Sequence, residues 1–381
     1  MRRRLCVPRA DWQARVEAEG LIWHSDSDGV YWDESACYSF TMAEIEAFEQ
    51  QTEEVQSLYR AAGERIAADQ RLLAQCGIPP AYHDAVRNTW QQQGPALDYG
   101  RFDFGYDGHG PLKLFEFNCD TPTAMLETAV IQWTWQQDCF PGADQFNSLH
   151  EALLARWHLL RGQISGGRMW FTHFGDAAHE DTITTTYMRD LASAAGFATH
   201  GLLIDQIGID TMGRIVDQDD QLITALFKLY PWEWLAAEEF GSKILARMGE
   251  TIWLEPVWKM LWSNKAVLAV LWDMFPGHPN LLPASLDASR ISGDYVSKPV
   301  LAREGANIEV VAGGQVIARS GGAYTRSQLV YQARYALRDF GGGYPVLGSW
   351  IVGGQAAGMG IREDGLITGN RARFVPHIIE A

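Results

Sequence analysis

The sequence predicts an α+β protein with a helical opening third, a mixed middle and a strand-rich end, and three observations carry this. The first is a helical apolar spacing that begins at Thr41. The second is a change of period at Arg101, where polar and aromatic residues begin to alternate. The third is a run of short alternating segments joined by glycine pairs after Tyr295.

Taken in order, Thr41 with Glu44 three residues on forms a capping box, and Ile45, Phe48, Val55, Leu58 and Ile66 keep helical spacing until Gly77 and Pro79 end the helix. Arg101-Phe-Asp-Phe and Leu114-Phe-Glu-Phe-Asn118 read as strands. Thr121 is then the expected N-cap, and Pro122 the expected first residue, of a helix running through Trp135. The middle alternates amphipathic helices with strands at residues 168–173, 197–203 and 224–229. The end carries strands at 295–300, 308–311, 329–332, 349–352 and 357–362, with turns at Gly313-Gly314, Gly321-Gly322 and Gly353-Gly354.

Composition narrows the function. The 381 residues suit two to three subdomains at about 150 residues each. With 47% apolar and 20% charged residues, the chain is globular rather than disordered. A net charge of −16 opposes a phosphate backbone, so nucleic acid is not an expected partner. Five cysteines without a C-x-x-C pair argue against a disulfide framework and a structural zinc site. The basic start, Met1 to Arg9, leads into no apolar run, and the longest such stretch, Ala266 to Trp272, is far short of a membrane span. The expectation is a soluble, cytoplasmic protein with no membrane partner. Walker A, G-x-G-x-x-G, H-E-x-x-H and G-x-S-x-G motifs are all missing.

Four constellations could carry chemistry. Residues two apart in a strand share a face, so Arg101 with Asp103, and Glu116 with Asn118, each project together while Phe102, Phe104, Phe115 and Phe117 take the opposite side. Two carboxylates and an amide oxygen suit Mg²⁺, and an arginine beside the ion offsets charge in phosphoryl transfer; a solvated face with an Arg–Asp pair has the same residue types. Thr121-Pro-Thr123 could present a helix N-terminus to an anion, or simply cap a helix. Lys265, Lys298 and the loop Arg303-Glu-Gly-Ala-Asn307 could form a flap over a polyphosphate, or be surface lysines and a turn. Gly358-Met-Gly-Ile-Arg362 joins close backbone approach to an arginine suited to a carboxylate, or is a bulge with a surface arginine.

In this order the residues resemble the synthetase domain of the glutathionylspermidine synthase family, in its stand-alone form without an amidase domain. The marks run from Tyr31-Trp-Asp-Glu to Arg373-Phe-Val-Pro-His377 and include Arg101-Phe-Asp-Phe, Glu116-Phe-Asn-Cys-Asp-Thr-Pro-Thr, Lys228-Leu-Tyr-Pro-Trp-Glu-Trp, Leu254-Glu-Pro-Val-Trp-Lys, Phe275-Pro-Gly-His-Pro-Asn, Lys298-Pro-Val and Gly358-Met-Gly-Ile-Arg-Glu. The resemblance implies an ATP-grasp-like fold and an ATP-dependent carboxylate–amine ligase acting through an acyl phosphate, with ATP and Mg²⁺ as cofactors and small molecules as partners. It implies one catalytic unit over 1–381: a helical part at 1–95, a substrate and metal part at 96–264, an ATP-binding lid at 265–345 and returning strands at 346–381.

By residue, the resemblance implies Arg101 at the transferring phosphoryl group and Asp103, Glu116 and Asn118 at Mg²⁺. Lys265, Lys298, Glu304, Gly305, Ala306 and Asn307 would hold ATP, with Gln332 near the adenine. Thr121, Thr123 and Arg362 would hold the acid, and Glu180 and Asp181 its amino end or the amine. Threonines at 121 and 123 replace the family's serines, Leu229 replaces a threonine expected near the peptide, and Arg371-Ala-Arg373 is basic where a polyamine site calls for acid. Glutathione and spermidine therefore stay open as substrates. A ligase for a different acid and amine, or a nucleotide-binding protein without turnover, are the alternatives.

Overall fold

The computed structural model describes residues 1–27, 29–175, 179–370 and 372–380; Arg371 lies outside them. The termini meet in a three-stranded sheet in which Ala36–Thr41 is flanked by Arg2–Leu5 and His377–Glu380. Both outer strands fall where no helical or alternating signal was read, because a short strand paired to a distant one leaves little local pattern. Thr41 caps helix α1 (Met42–Ala67), and the capping box with Glu44 is complete. The helix expected to run on to Gly77 breaks at residues 68–69, where the Asp69 side chain accepts from Arg71 N–H and starts a separate helix, Gln70–Gln75. An N-cap residue favours a new start over continuation.

Strand β1 (Tyr99–Gly105) pairs antiparallel with β2 (Lys113–Asn118). The core face of this pair stacks Phe102 on Phe117 at 3.8 Å, and Tyr59 of α1 meets both rings edge-on. Next comes a parallel four-stranded sheet, in spatial order Ile252–Leu254, Ala225–Leu229, Arg168–His173, Ala198–Leu203, with helix α2 (Glu180–Ala194) crossing between its last two strands. A separate five-stranded antiparallel sheet is built on β3 (Tyr295–Pro299), β4 (Glu309–Ala312) and β5 (Leu329–Ala333), with β3 between the other two. Finally β6 (Tyr344–Val352) and β7 (Gln355–Asp364), joined through Gly353-Gly354 as expected, return to β1, and Arg373–Phe374 on the outer side of β7 completes the five-stranded central sheet. Gly313-Gly314 likewise turns β4 into Gln315–Arg319, whereas Gly321-Gly322 lies in the longer connection to β5 and makes no hairpin. Among the described residues no helix is long and apolar enough to cross a membrane.

Candidate active site

The register of β1 and β2 sets Asp103 directly opposite Glu116 and Arg101 directly opposite Asn118. Continuing across the sheet, Asp103 pairs with Gly348 of β6, and Gly348 with Gly360 of β7. The two glycines clear the face beside the carboxylates. A Cβ on Gly348 would lie 2.7 Å from the Arg101 Cδ, and one on Gly360 2.7 Å from the Thr128 Oγ1. Arg101 can therefore fold across Gly348, and its guanidinium binds Asp103 through Nε (2.8 Å) and the Thr123 carbonyl through Nη1 (2.6 Å). Arg362 donates to the other oxygen of Asp103 at 2.7 Å, and Asn118 Nδ2 reaches the same atom at 3.2 Å. Asp103 is buried with two guanidiniums on it.

A bulge between Asp103 and Phe104 shifts the register, and Phe115 is corrected by it. Phe102, Phe104 and Phe117 take the core face as expected, whereas Phe115 lies over Gly105 on the cleft side, where a Cβ on that glycine would come within 2.4 Å of its ring. Lys298 of β3 sits 5.6 Å from the Phe115 ring centre and donates to the Phe115 carbonyl (3.1 Å) and to Gln332 Oε1 (2.9 Å). Gln332 in turn donates to the Leu114 carbonyl at 2.9 Å, so both ends of its amide are used to hold the lysine against β2. Lys265 pairs with Glu116 at 3.1 Å and donates to the Ala302 carbonyl at 2.6 Å. Burial pushes the Glu116 carboxyl up, but Lys265, Lys298 and Arg362 outweigh it and hold the group at about 2. Lys298 moves to about 8, chiefly by burial, with Lys265 adding repulsion and Glu116 opposing.

Loop 303–307 closes over this face. Arg303 bonds Glu233 at 2.9 Å and the Thr121 hydroxyl, Asn370 donates to Glu304, and Asn307 donates to the Gly322 carbonyl at 3.1 Å. Gly305 adopts φ 67° with its Cα against the Thr368 carbonyl, where a Cβ would approach to 2.4 Å. Ala306 N–H donates back to the Arg303 carbonyl at 2.9 Å, tightening the turn.

The helix start expected at Thr121 is corrected. Residues 121–124 form an irregular connection, Ala124 takes φ 65°, and helical structure begins only at Met125. Tertiary ties override the local cap. Asp120 is fixed by the fully buried Lys228 at 2.6 Å and by Trp232 N–H at 2.8 Å, Thr121 is held by Arg303, and the Thr123 carbonyl by Arg101. Thr121 and Thr123 therefore offer the cleft hydroxyls and backbone groups, without the helix-dipole contribution. Thr123 also bonds Glu180, whose carboxyl is raised by burial and by the nearby Glu304.

Sequence reasoning missed Tyr31, Glu127 and Asn370 and gave Arg303 no role of its own. Tyr31, Arg303 and Asn370 line the cleft together with Glu180, Asp181 and Leu229. The cleft has a volume of about 250 Å³, near the lower end of the roughly 300–1,000 Å³ of a small-molecule site. Among the described residues no three His, Cys, Asp or Glu side chains cluster as a metal site; the third member of the predicted set is an asparagine.

The whole chain superposes on a glutathione synthetase-like effector from Globodera pallida, with a TM-score of 0.56 at 13% identity and coverage of 99% of this chain and 100% of that one. The fold is thus the ATP-grasp-like one expected. A Haemophilus influenzae protein named "Putative acid–amine ligase" is 42% identical over 371 residues, 92% of each chain. The bifunctional glutathionylspermidine synthetase/amidase of Escherichia coli is 27% identical across 92% of this chain, which spans 59% of that protein. Trypanothione synthetase of Crithidia fasciculata is 28% identical across 78% of this chain and 49% of its own length. By these relatives the protein is an ATP-dependent carbon–nitrogen ligase of the acid–amine class. Residues 3–380 match the profile described as "Glutathionylspermidine synthase preATP-grasp", and the chain belongs to that family.

Proposed function

We propose that this ligase joins the terminal carboxylate of a short peptide, glutathione or a close relative, to a polyamine or another amine through an acyl phosphate. The observation that carries the reading is the meeting of Asp103, Glu116, Asn118, Arg101 and Arg362 on one sheet face beside Thr121 and Thr123. Two opposed carboxylates, one held strongly ionised, and an amide oxygen fit Mg²⁺ by donor chemistry. Asp103, Glu116 and Asn118 would hold the ion, which when bound neutralises triphosphate charge. Lys265 and Lys298 grip the phosphates under the backbone of Glu304, Gly305, Ala306 and Asn307, while Gln332 orients Lys298 beside the adenine space. The lid is taken as 265–345.

Arg101 offsets charge on the transferring phosphoryl group. Thr121, Thr123 and Arg362 hold the acid, and the acidic wall of Glu180 and Asp181 receives a cationic amino group. Leu229 makes the wall near the peptide apolar. ATP and free amines as substrates fit a cytoplasmic location.

The test is a screen of acid and amine pairs for ADP release, with mass detection of the condensed product. Glutathione with spermidine is the first pair. ADP with an amide product is expected, and Glu116→Ala or Asn118→Ala should abolish both while the fold is kept. ADP without a condensed product overturns the ligase substrates, and wild-type turnover in either variant overturns the metal assignment.

A further inference from the structure

The roles proposed so far leave Tyr31 and Glu127 unused, yet three independent features converge on them. Glu127 is 1% exposed, and the Tyr31 hydroxyl donates to its Oε1 at 2.6 Å. Tyr31 itself lines the cleft. Glu127 also opens a π-helical turn, Glu127–Ile131, that begins three residues beyond the left-handed Ala124. A π turn is uncommon, is seen frequently at functional sites, and a non-glycine residue at positive φ persists only where its surroundings enforce it. The backbone here is shaped to hold a carboxyl directly behind a tyrosine.

The charged groups facing the pair are few. Tyr31 faces Glu127, Glu180 and Arg362; Glu127 faces Tyr31, Glu180 and Arg101. Burial raises the Glu127 carboxyl to about 7, with Glu180 adding to the rise and the Tyr31 hydrogen bond and Arg101 opposing it. Tyr31 is raised well above its ordinary range, first by burial and then by Glu127. The tyrosine thus stays a phenol and passes a proton on, and a carboxyl near neutrality is matched to accepting one.

We propose that Tyr31 and Glu127 carry away the proton released when the amine attacks the acyl phosphate. This rests on the acyl-phosphate reading given above. As the amine nitrogen bonds the carbonyl carbon and the carbon–oxygen bond to phosphate breaks, the nitrogen loses a proton to the Tyr31 oxygen. The phenolic proton moves along the existing hydrogen bond to the Glu127 carboxylate, and phosphate leaves with the electron pair. Tyr31 is the catalytic residue of the relay, and Glu127 acts through it.

Tyr31→Phe and Glu127→Gln keep the packing and remove the relay. With glutathione as the acid, each variant is assayed with spermidine and with hydroxylamine, a weakly basic nucleophile whose adduct gives its proton to water without a protein base. The expected result is at least about a hundredfold loss of amide formation with spermidine, ADP formation with hydroxylamine within threefold of wild type, and loss of the rise in rate near pH 7. Equal losses with both nucleophiles indicate a structural role and overturn the proposal, as does unchanged turnover with spermidine. If wild-type protein releases no ADP in either assay, it is the substrate reading that has failed, and infrared titration judges the pair separately. A protonated-carboxyl band that vanishes near pH 7, and is missing in Glu127→Gln, supports Glu127 as the acceptor; a wild-type spectrum without it overturns that role.

Discussion

Asp103 is the residue on which the cleft turns, because its carboxylate carries both Arg101 and Arg362. These are the two guanidiniums proposed to turn toward a phosphoryl oxygen and a peptide carboxylate, anions that replace what each gives up on leaving Asp103. Charge-assisted contacts are worth roughly 1.5–3 kcal/mol each. Arg362→Ala should therefore weaken glutathione binding in calorimetry by at least about tenfold and leave Mg·ATP affinity unchanged within about twofold, since Arg362 is assigned to the acid and not to the phosphates. Loss of ATP binding with glutathione binding kept would reverse the assignment. Lys298 gives a pH test. Its ammonium is depressed to about 8, so it is charged below that pH and neutral above it. A charged lysine favours triphosphate, so ATP affinity should fall about tenfold from pH 7 to pH 9 in wild type and stay level in Lys298→Met. A fall of the same size in the variant would place the dependence elsewhere. At this scale the strand-borne groups Arg101, Asp103, Glu116 and Asn118 were legible, because a period of two fixes which side chains share a face. Tyr31 and Glu127 were not, because they meet across 96 residues of chain and only the packing of distant elements brings them together.

Strands and helices differ in how locally they are specified. The alternating segments became β1 and β2 because aromatic residues at every second position find α1 and stack in the core, as Phe102, Phe117 and Tyr59 do. The bulge at Phe104 was invisible to alternation alone, which assumes an unbroken register. The cap at Thr41 was legible since both halves of the capping box lie within four residues, whereas the similar signal at Thr121 was overruled by Arg303 and Arg101, which reach it from elsewhere. The Gly348–Gly360 row is a device of the sheet itself, clearing space that Arg101 fills. Gly348→Ala should displace the Arg101 side chain, whose far end can move, so the loss should fall on turnover rather than on folding. We expect at least a tenfold drop in kcat with a thermal midpoint close to wild type. A large fall in midpoint with kcat preserved would mean that the glycine serves packing alone.

Over the whole molecule, the central sheet supplies the acidic face, the separate antiparallel sheet of β3 to β5 supplies Lys298 and Gln332, and loop 303–307 bridges them to residues 368–370. The order of strands from sequence gives no account of this meeting, since β6 and β7 return to β1 from more than two hundred residues away. The resemblance supplied it, by implying a fold in which the lid covers the carboxylate face. The most direct test of the account follows the oxygen of the acid. With glutathione labelled by ¹⁸O in the glycine carboxylate, supplied with Mg·ATP and spermidine, an acyl phosphate passes one labelled oxygen to inorganic phosphate as the amide forms. We predict singly labelled phosphate in step with ADP and amide in wild type, and none in Asn118→Ala. Amide formed alongside unlabelled phosphate, or alongside AMP and pyrophosphate, would contradict the account.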